Sequence, residues 1–345
     1  MLTRNLVTAV LAVCLVAPGV GAAKGSASIG AVSYSVVDRI PAADGGWDFA
    51  AVDADSGKLY VARSNAITAV DLASRNVTDH LADAHRGHQV LSIEGGKTLF
   101  ETDGETGLGR FISATDGSVL AEVATGTKPD AAFLDPKTGL IAVMNAGDGT
   151  VALLDPAKRS LAGKIDVGGG LEFAVADGKG GAFINIEDAN TIVHVDLVGR
   201  RKTGTIALPG CEGPTGLALV ANGTRLISAC ANEVALVIDT ATGKTLETLA
   251  IGRDPDAVLV DEARGLAFIP CGGSGTLIAL AIGDADHIHV AQTIQTQVGA
   301  KTGAIDPRNG RIYLPTATLA PPEPGAKRGK PVPGSFVVLV VAPTA

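Results

Sequence analysis

Aromatic residues are scarce, making up 3% of the 345 residues, with Trp47 the single tryptophan. Binding single-stranded nucleic acid by stacking needs a basic groove lined with rings, and this chain has few rings to line one. Acidic residues outnumber basic ones, 36 to 28, for a formal charge of −8. That balance speaks against general attraction to nucleic acid or an anionic membrane, because neutralising phosphates takes clustered Lys and Arg. The longest apolar run, Leu6 to Val16, is too short to span a bilayer. No serine occupies a Gly-x-Ser-x-Gly elbow, and no Cys-x-x-Cys-His offers a haem attachment. Gly243-Lys244-Thr245 lacks the upstream glycine of a phosphate loop. Gly168-Gly169-Gly170 has no helix after it to aim amides at a phosphate. No cofactor is expected.

Glycine, by contrast, is abundant at 44 residues, alongside 17 prolines, a composition that suits many short strands joined by tight turns. The first residues read as an export signal over 1–23: Arg4 is the basic start, Leu6 to Val16 the apolar stretch, and Gly21-Ala22-Ala23 the small residues for cleavage. Leu11-Ala12-Val13-Cys14 is a poor lipoprotein box, since Val13 is bulky and apolar sequence continues past Cys14. Export implies a periplasmic or secreted protein in an oxidising compartment, where Cys211, Cys230 and Cys271 are candidates for a disulfide.

One unit recurs seven times: an apolar strand, a turn with Asp, Asn or Gly, a second apolar strand, a variable loop, a third strand, a turn and a fourth strand. The first turns align as Asp55-Ser56-Gly57-Lys58, Glu94-Gly95-Gly96-Lys97, Pro136-Lys137-Thr138-Gly139, Gly178-Lys179-Gly180-Gly181, Ala221-Asn222-Gly223-Thr224, Glu262-Ala263-Arg264-Gly265 and Pro307-Arg308-Asn309-Gly310. Glycine and asparagine supply the positive φ that short hairpins need. The units open at Trp47, His88, Pro129, Glu172, Pro214, Pro255 and Thr302, in steps of 41, 41, 43, 42, 41 and 47 residues. Four strands in about 40 residues signal a propeller blade. The seventh unit has three strands of its own, ending in Phe336 to Val341, while Val32 to Ile40 precedes the first unit and has strand composition. The fold class expected is therefore all-β: a seven-bladed β-propeller over residues 31–342, with four-stranded blades and the ring closed by the N-terminal strand.

Phrases such as Lys58-Leu59-Tyr60-Val61, Val70-Asp71-Leu72, Gly126-Thr127-Lys128-Pro129-Asp130 and Tyr313-Leu314-Pro315-Thr316-Ala317 carry a resemblance. The mature chain resembles the YVTN-repeat β-propellers of the YncE-like family. The Tyr-Val-Thr-Asn strand is altered here, to Tyr60-Val61-Ala62-Arg63 for example. The resemblance implies the propeller fold and no particular activity. A single tryptophan also departs from the tryptophan-rich blades of quinone-cofactor dehydrogenases.

In a propeller, the loop holding Cys211 and the strand end holding Cys230 emerge on one face of the fifth blade, so these two are the expected disulfide. Closing a loop of about 20 residues stabilises by roughly 3 kcal/mol. Cys271, one blade on, is the alternative partner. His85 and His88 have helical metal spacing but lie in a turn between blades, which favours solvated loop histidines. His287 and His289 share a face of an outer strand without an evident third ligand, and His194 reads as structural.

Repeat symmetry places Asp48, Gln89, Asp130, Glu172, Thr215, Asp256 and Thr302 around one mouth of the central channel. Four carboxylates facing one axis repel, so each is expected to find a partner among Lys128, Arg253 and Lys301, a cation, or a cationic ligand. Alternatively, such residues merely cap hydrogen bonds between blades. Asn185, Glu187 and Asp188 should lie on the same face. The ligand-binding set expected is Asp48, His88, Asp130, Glu172, Asn185, Glu187, Asp256 and Lys301. A proline-rich loop, Pro315 to Ser335, should overlie this face, with Lys327, Arg328 and Lys330 leaning over it. The functional expectation is a monomeric, non-catalytic binding or scaffold propeller for a small molecule, metal or protein partner, without nucleic acid or a transmembrane segment. The alternative is a lactonase-like, metal-assisted hydrolase or an accessory to a periplasmic redox system.

Overall fold

The computed structural model describes residues 33–323, 325 and 329–344. The expected export signal, Lys327 and Arg328 lie outside them. Each of the seven aligned turns joins the first and second strands of a blade in an antiparallel hairpin. In blade 1, Trp47–Asp53, Lys58–Arg63, Ala66–Asp71 and Val77–Asp83 follow one another from the channel outward. Gly57 turns the first hairpin at φ 68°, a conformation open to glycine without strain. Blades 2 to 6 repeat this order, with innermost strands Gly87–Ile93, Pro129–Leu134, Leu171–Ala176, Pro214–Val220 and Leu259–Asp261.

Blade 7 draws on both ends of the described chain. Ala304–Asp306, Arg311–Thr316 and Val337–Thr344 are completed on the outside by Ser33–Pro41. The pairing runs from Ser33 opposite Thr344 to Pro41 opposite Val337, so the ring closes as the repeat arithmetic requires.

The core is divided among the gaps between blades. Strands buried on both faces read as continuous apolar runs, and each gap holds its own cluster. Tyr60, Ile67 and Leu99 fill the gap between blades 1 and 2, Phe100, Phe111 and Ile141 the next, and Tyr34, Phe268 and Leu339 the gap between blades 6 and 7. Removing one such side chain from water is worth about 2 kcal/mol. Polar side chains add links from blade to blade: Thr102 Oγ1 donates to Asp130 O at 2.7 Å, Thr215 Oγ1 to Pro255 O at 2.8 Å, and Thr302 Oγ1 to Asp48 O at 2.7 Å.

Cys211 and Cys230 form a disulfide, with Cα atoms 5.5 Å apart. Cys271, the alternative partner, is a buried free thiol whose pKa burial pushes up to about 12. The long connection in blade 7 lies between Thr316 and Val337, while Pro315 itself still belongs to a strand, opposite Val338. This connection begins and ends as a ribbon, with Ala320 N donating to Lys330 O and Val332 N to Thr318 O. Asp44 accepts from the backbone of Gly334 and Phe336, and the buried Arg63 guanidinium lies 3.7 Å above the Phe336 ring. These contacts tie the connection to the segment that leads into Trp47. Lys330 pairs with Glu323 at 2.9 Å, an exposed contact that accounts for its charge without the channel.

Candidate ligand site at the channel mouth

The mouth is built by a short device repeated from blade to blade. Arg86, Lys128 and Asp254 adopt left-handed backbone at φ 62°, 51° and 61°, a conformation that side chains other than glycine rarely take. Their carbonyls accept from Gly104, Ala146 and Gly272 in the turns between second and third strands. The innermost strand then carries an extra residue. Its register shifts between Trp47 and Ala50, Gly87 and Val90, Pro129 and Ala132, Leu171 and Ala174, and Pro214 and Leu217. Such a bulge re-aims side chains, so each blade gives one residue to the mouth and the next to the layer beneath. The mouth residues are Asp48, His88, Asp130, Glu172 and Thr215. Asp256 and Lys301 hold the matching places in the segments leading into the strands of blades 6 and 7.

This corrects the expected ring at two positions, where counting from aligned turns is off by one residue. Gln89 and Thr302 sit one layer lower and are buried, and His88 and Lys301 take the mouth instead. The lower layer otherwise contains Phe49, Ala131 and Ala257, packed with Phe173, and the Phe49 and Phe173 rings lie 5.2 Å apart. The channel mouth therefore has an apolar floor.

The remaining candidates separate by environment. Asn185 is fully buried, and its amide donates to Thr215 O at 2.9 Å and Gly216 O at 3.1 Å, which commits it to the joint between blades 4 and 5. Glu187 is exposed on a short 3-10 turn, and its charge is one of those that raise the Glu172 pKa. Asp188 Oδ1 accepts from Gly170 N at 2.9 Å. Arg253 donates to Gly273 O at 3.2 Å, while Lys128 is exposed.

Charges alternate around most of the ring. From blade 6 through blade 7 to blade 3 the order is Asp256, Lys301, Asp48, His88, Asp130. Lys301 pairs with Asp256 and lies 3.6 Å from Asp48. His88 Nδ1 lies 2.6 Å from Asp48 Oδ2 and 3.8 Å from Asp130 Oδ1. Glu172 breaks the alternation: its neighbours in the ring are Asp130 and the uncharged Thr215. Burial, together with the charges of Asp130, Asp256 and Glu187, pushes the Glu172 carboxyl up to about 9, so it holds its proton at neutral pH. Burial also raises Asp130, to about 6, against the pull of His88, and raises Asp256 against Lys301. For His88, burial opposes the charge, but the Asp48 hydrogen bond and the charges of Asp130 and Asp48 outweigh it and raise its pKa.

The other histidines lie elsewhere. His85 contacts Asp103 at 3.0 Å, His194 contacts Thr203 at 2.6 Å and Asp177 at 3.1 Å, and the exposed rings of His287 and His289 lie 4.8 Å apart. One ionisable group went unnoticed in the sequence. Glu101 is fully buried in blade 2, where burial pushes its carboxyl up to about 8 with Arg110 3.6 Å away. Its strand, Thr98–Asp103, mixes apolar with polar and acidic residues, so nothing in the local sequence set it apart.

The chain matches no family model and no curated protein sequence. Among solved structures it is similar to Kuenenia stuttgartiensis hydrazine synthase, with TM-score 0.68 and 13% identity over 79% of this chain and 93% of that one. It is also similar to a chain in a crystal structure of a mitotic checkpoint complex, with TM-score 0.71 and 15% identity over 91% of this chain and 96% of that one. At such identities these likenesses show the fold, a seven-bladed β-propeller, and nothing of the chemistry. No helix among the described residues is long and apolar enough to cross a membrane.

Proposed function

We propose that this chain is an exported, YncE-like β-propeller that acts as a non-catalytic binding module and takes a small cationic ligand at the channel mouth. The observation that carries the proposal is the break in charge alternation at Glu172. Among the described residues, Asp130, Glu172 and Asp256, with Glu187 beside them, share Lys301 and His88 as balancing cations, and both of these already contact Asp48. Without a ligand the excess negative charge is relieved by keeping protons on carboxyls; a cation replaces those protons with a stronger partner. Export to the periplasm is supported by the leader-like first residues and by the Cys211–Cys230 disulfide.

Native mass spectrometry of protein exported from its own host tests this reading. The wild type is expected to retain a small-molecule mass that the Asp130→Asn/Glu172→Gln double variant loses without any fall in thermal stability. A mass retained equally by both, or none retained by either, would overturn it. A metal-assisted hydrolase is the second reading, favoured by the Asp48, His88 and Asp130 cluster. Lactone hydrolysis by Zn2+-loaded protein checks it.

A further inference from the structure

We propose that Asp48, His88 and Asp130 form a site for one divalent transition-metal ion of the Zn2+ class. The inference rests on the reading of the channel mouth as a ligand site and names the group bound there. Each residue offers one donor atom, and the three donors lie within 4.8 Å of one another. Around tetrahedral Zn2+, with bonds of about 2.0 Å, donor atoms stand about 3.3 Å apart. The separations of 2.6 Å and 3.8 Å from His88 Nδ1 to the two aspartates bracket that value. Small side-chain rotations therefore convert the hydrogen-bonded arrangement into a coordinating one.

The donors stand at the same position of three consecutive blades, each aimed by a bulge in a strand, so the backbone holds them in place before any ion arrives. The His88 ring is fixed on its other side as well. A Cβ built on Gly104 would lie 2.7 Å from Nε2, which leaves Nδ1 as the nitrogen that faces the aspartates. Solvent reaches the cluster, since the three side chains are 15% to 24% exposed, giving an ion a path of entry.

A separate observation points the same way. Gln89 occupies the layer directly beneath His88 and is only 5% exposed, yet its Oε1 has no hydrogen-bond partner among the described residues. An acceptor left in this state costs about 1–3 kcal/mol. The Gln89 acceptor, in the layer under the cluster, is one that the bound water of an ion can satisfy. The donor set also selects the class of ion. One imidazole with two carboxylates suits Zn2+, Co2+ or Mn2+, whereas Ca2+ and Mg2+ prefer sites made only of oxygen.

Titrating the chelator-treated full-length protein with Co2+ and Zn2+ tests the proposal. Expected are one equivalent of Co2+ bound with visible d–d absorption, its displacement by Zn2+, and roughly 100-fold weaker binding in both His88→Gln and Asp130→Asn. The His287→Gln/His289→Gln variant should bind like wild type. Circular dichroism identifies any variant that fails to fold, in which case the other single variant decides. No Co2+ absorption at millimolar metal, unchanged affinity in a folded mouth variant, or loss of binding in the His287/His289 variant would overturn the proposal. If metal fails to bind while the double variant described above still loses a retained mass, only the metal assignment falls and the ligand site stands.

Discussion

His88 Nδ1 and Asp48 Oδ2 lie 2.6 Å apart, joining the innermost strands of blades 1 and 2 across the channel mouth. The pair reports on the charge of the whole ring, because Asp48 also lies beside Lys301 and His88 also faces Asp130.

Its contribution to stability should depend on pH in a defined sense. Burial works against the imidazolium, but Asp48 and Asp130 outweigh it, with Arg86 opposing them, and the folded pKa is raised. A raised histidine pKa gives stability that is fully present below the unfolded pKa of about 6.5 and lost as pH rises through the folded value. His88→Gln should therefore cost on the order of 1 kcal/mol at pH 5.5 and nothing at pH 9. Chemical unfolding of metal-free protein at the two pH values measures this, and an equal cost at both would refute the assignment.

Glu172→Gln should act in the opposite direction. Burial first, then Asp130, Asp256 and Glu187, raise its carboxyl to about 9. The folded state therefore holds a proton that an unfolded glutamate releases above about 4.3, and wild-type stability falls as pH rises from there to about 9. The amide mimics the protonated acid at every pH. The variant should match wild type near pH 4 and exceed it at pH 8 by on the order of 1 kcal/mol, about 2 °C in Tm. A variant less stable than wild type at pH 8 would show that the carboxylate is the native form.

Gly104→Ala probes the seat of the His88 ring. The added Cβ would lie 2.6 Å from His88 Cδ2 and 3.1 Å from Arg86 O, so the imidazole must shift from its seat beside Asp48. The chain should still fold, with a loss of about 1–3 kcal/mol typical of overpacking. NMR titration of the His88 ring should show its pKa displaced from the wild-type value. An unchanged titration would mean that the ring has room to spare.

Reduction of Cys211–Cys230 opens a closure spanning 19 residues of sequence separation, and should cost roughly 3 kcal/mol. Cys271 should resist alkylation in the native state, being fully buried with its pKa raised to about 12. Peptide mapping without reductant, before and after denaturation, reads both. A native protein labelled at all three thiols would contradict the pairing.

The turns at Asp55-Ser56-Gly57-Lys58 and Ala221-Asn222-Gly223-Thr224 were legible because hairpin chemistry is local, and the acids at Asp48, Asp130, Glu172 and Asp256 because they recur with the period. His88 and Lys301 were recognisable as chemistry-bearing residues, but their rank in the ring was not. Asn185 looked like a mouth residue from its strand position, yet it turns its amide into the joint between blades.

The amino-acid sequence by itself determined the number of blades, the hairpin turns, the closure by the N-terminal strand and the Cys211–Cys230 pairing, since all of these follow from a repeat whose turns and apolar strands obey local rules. Tertiary structure alone decided which of two adjacent residues faces the channel. In blades 1 to 5 a bulge shifts the register by one residue and turns every side chain beyond it, which set His88 between Asp48 and Asp130 and left Glu172 beside Asp130 and Thr215.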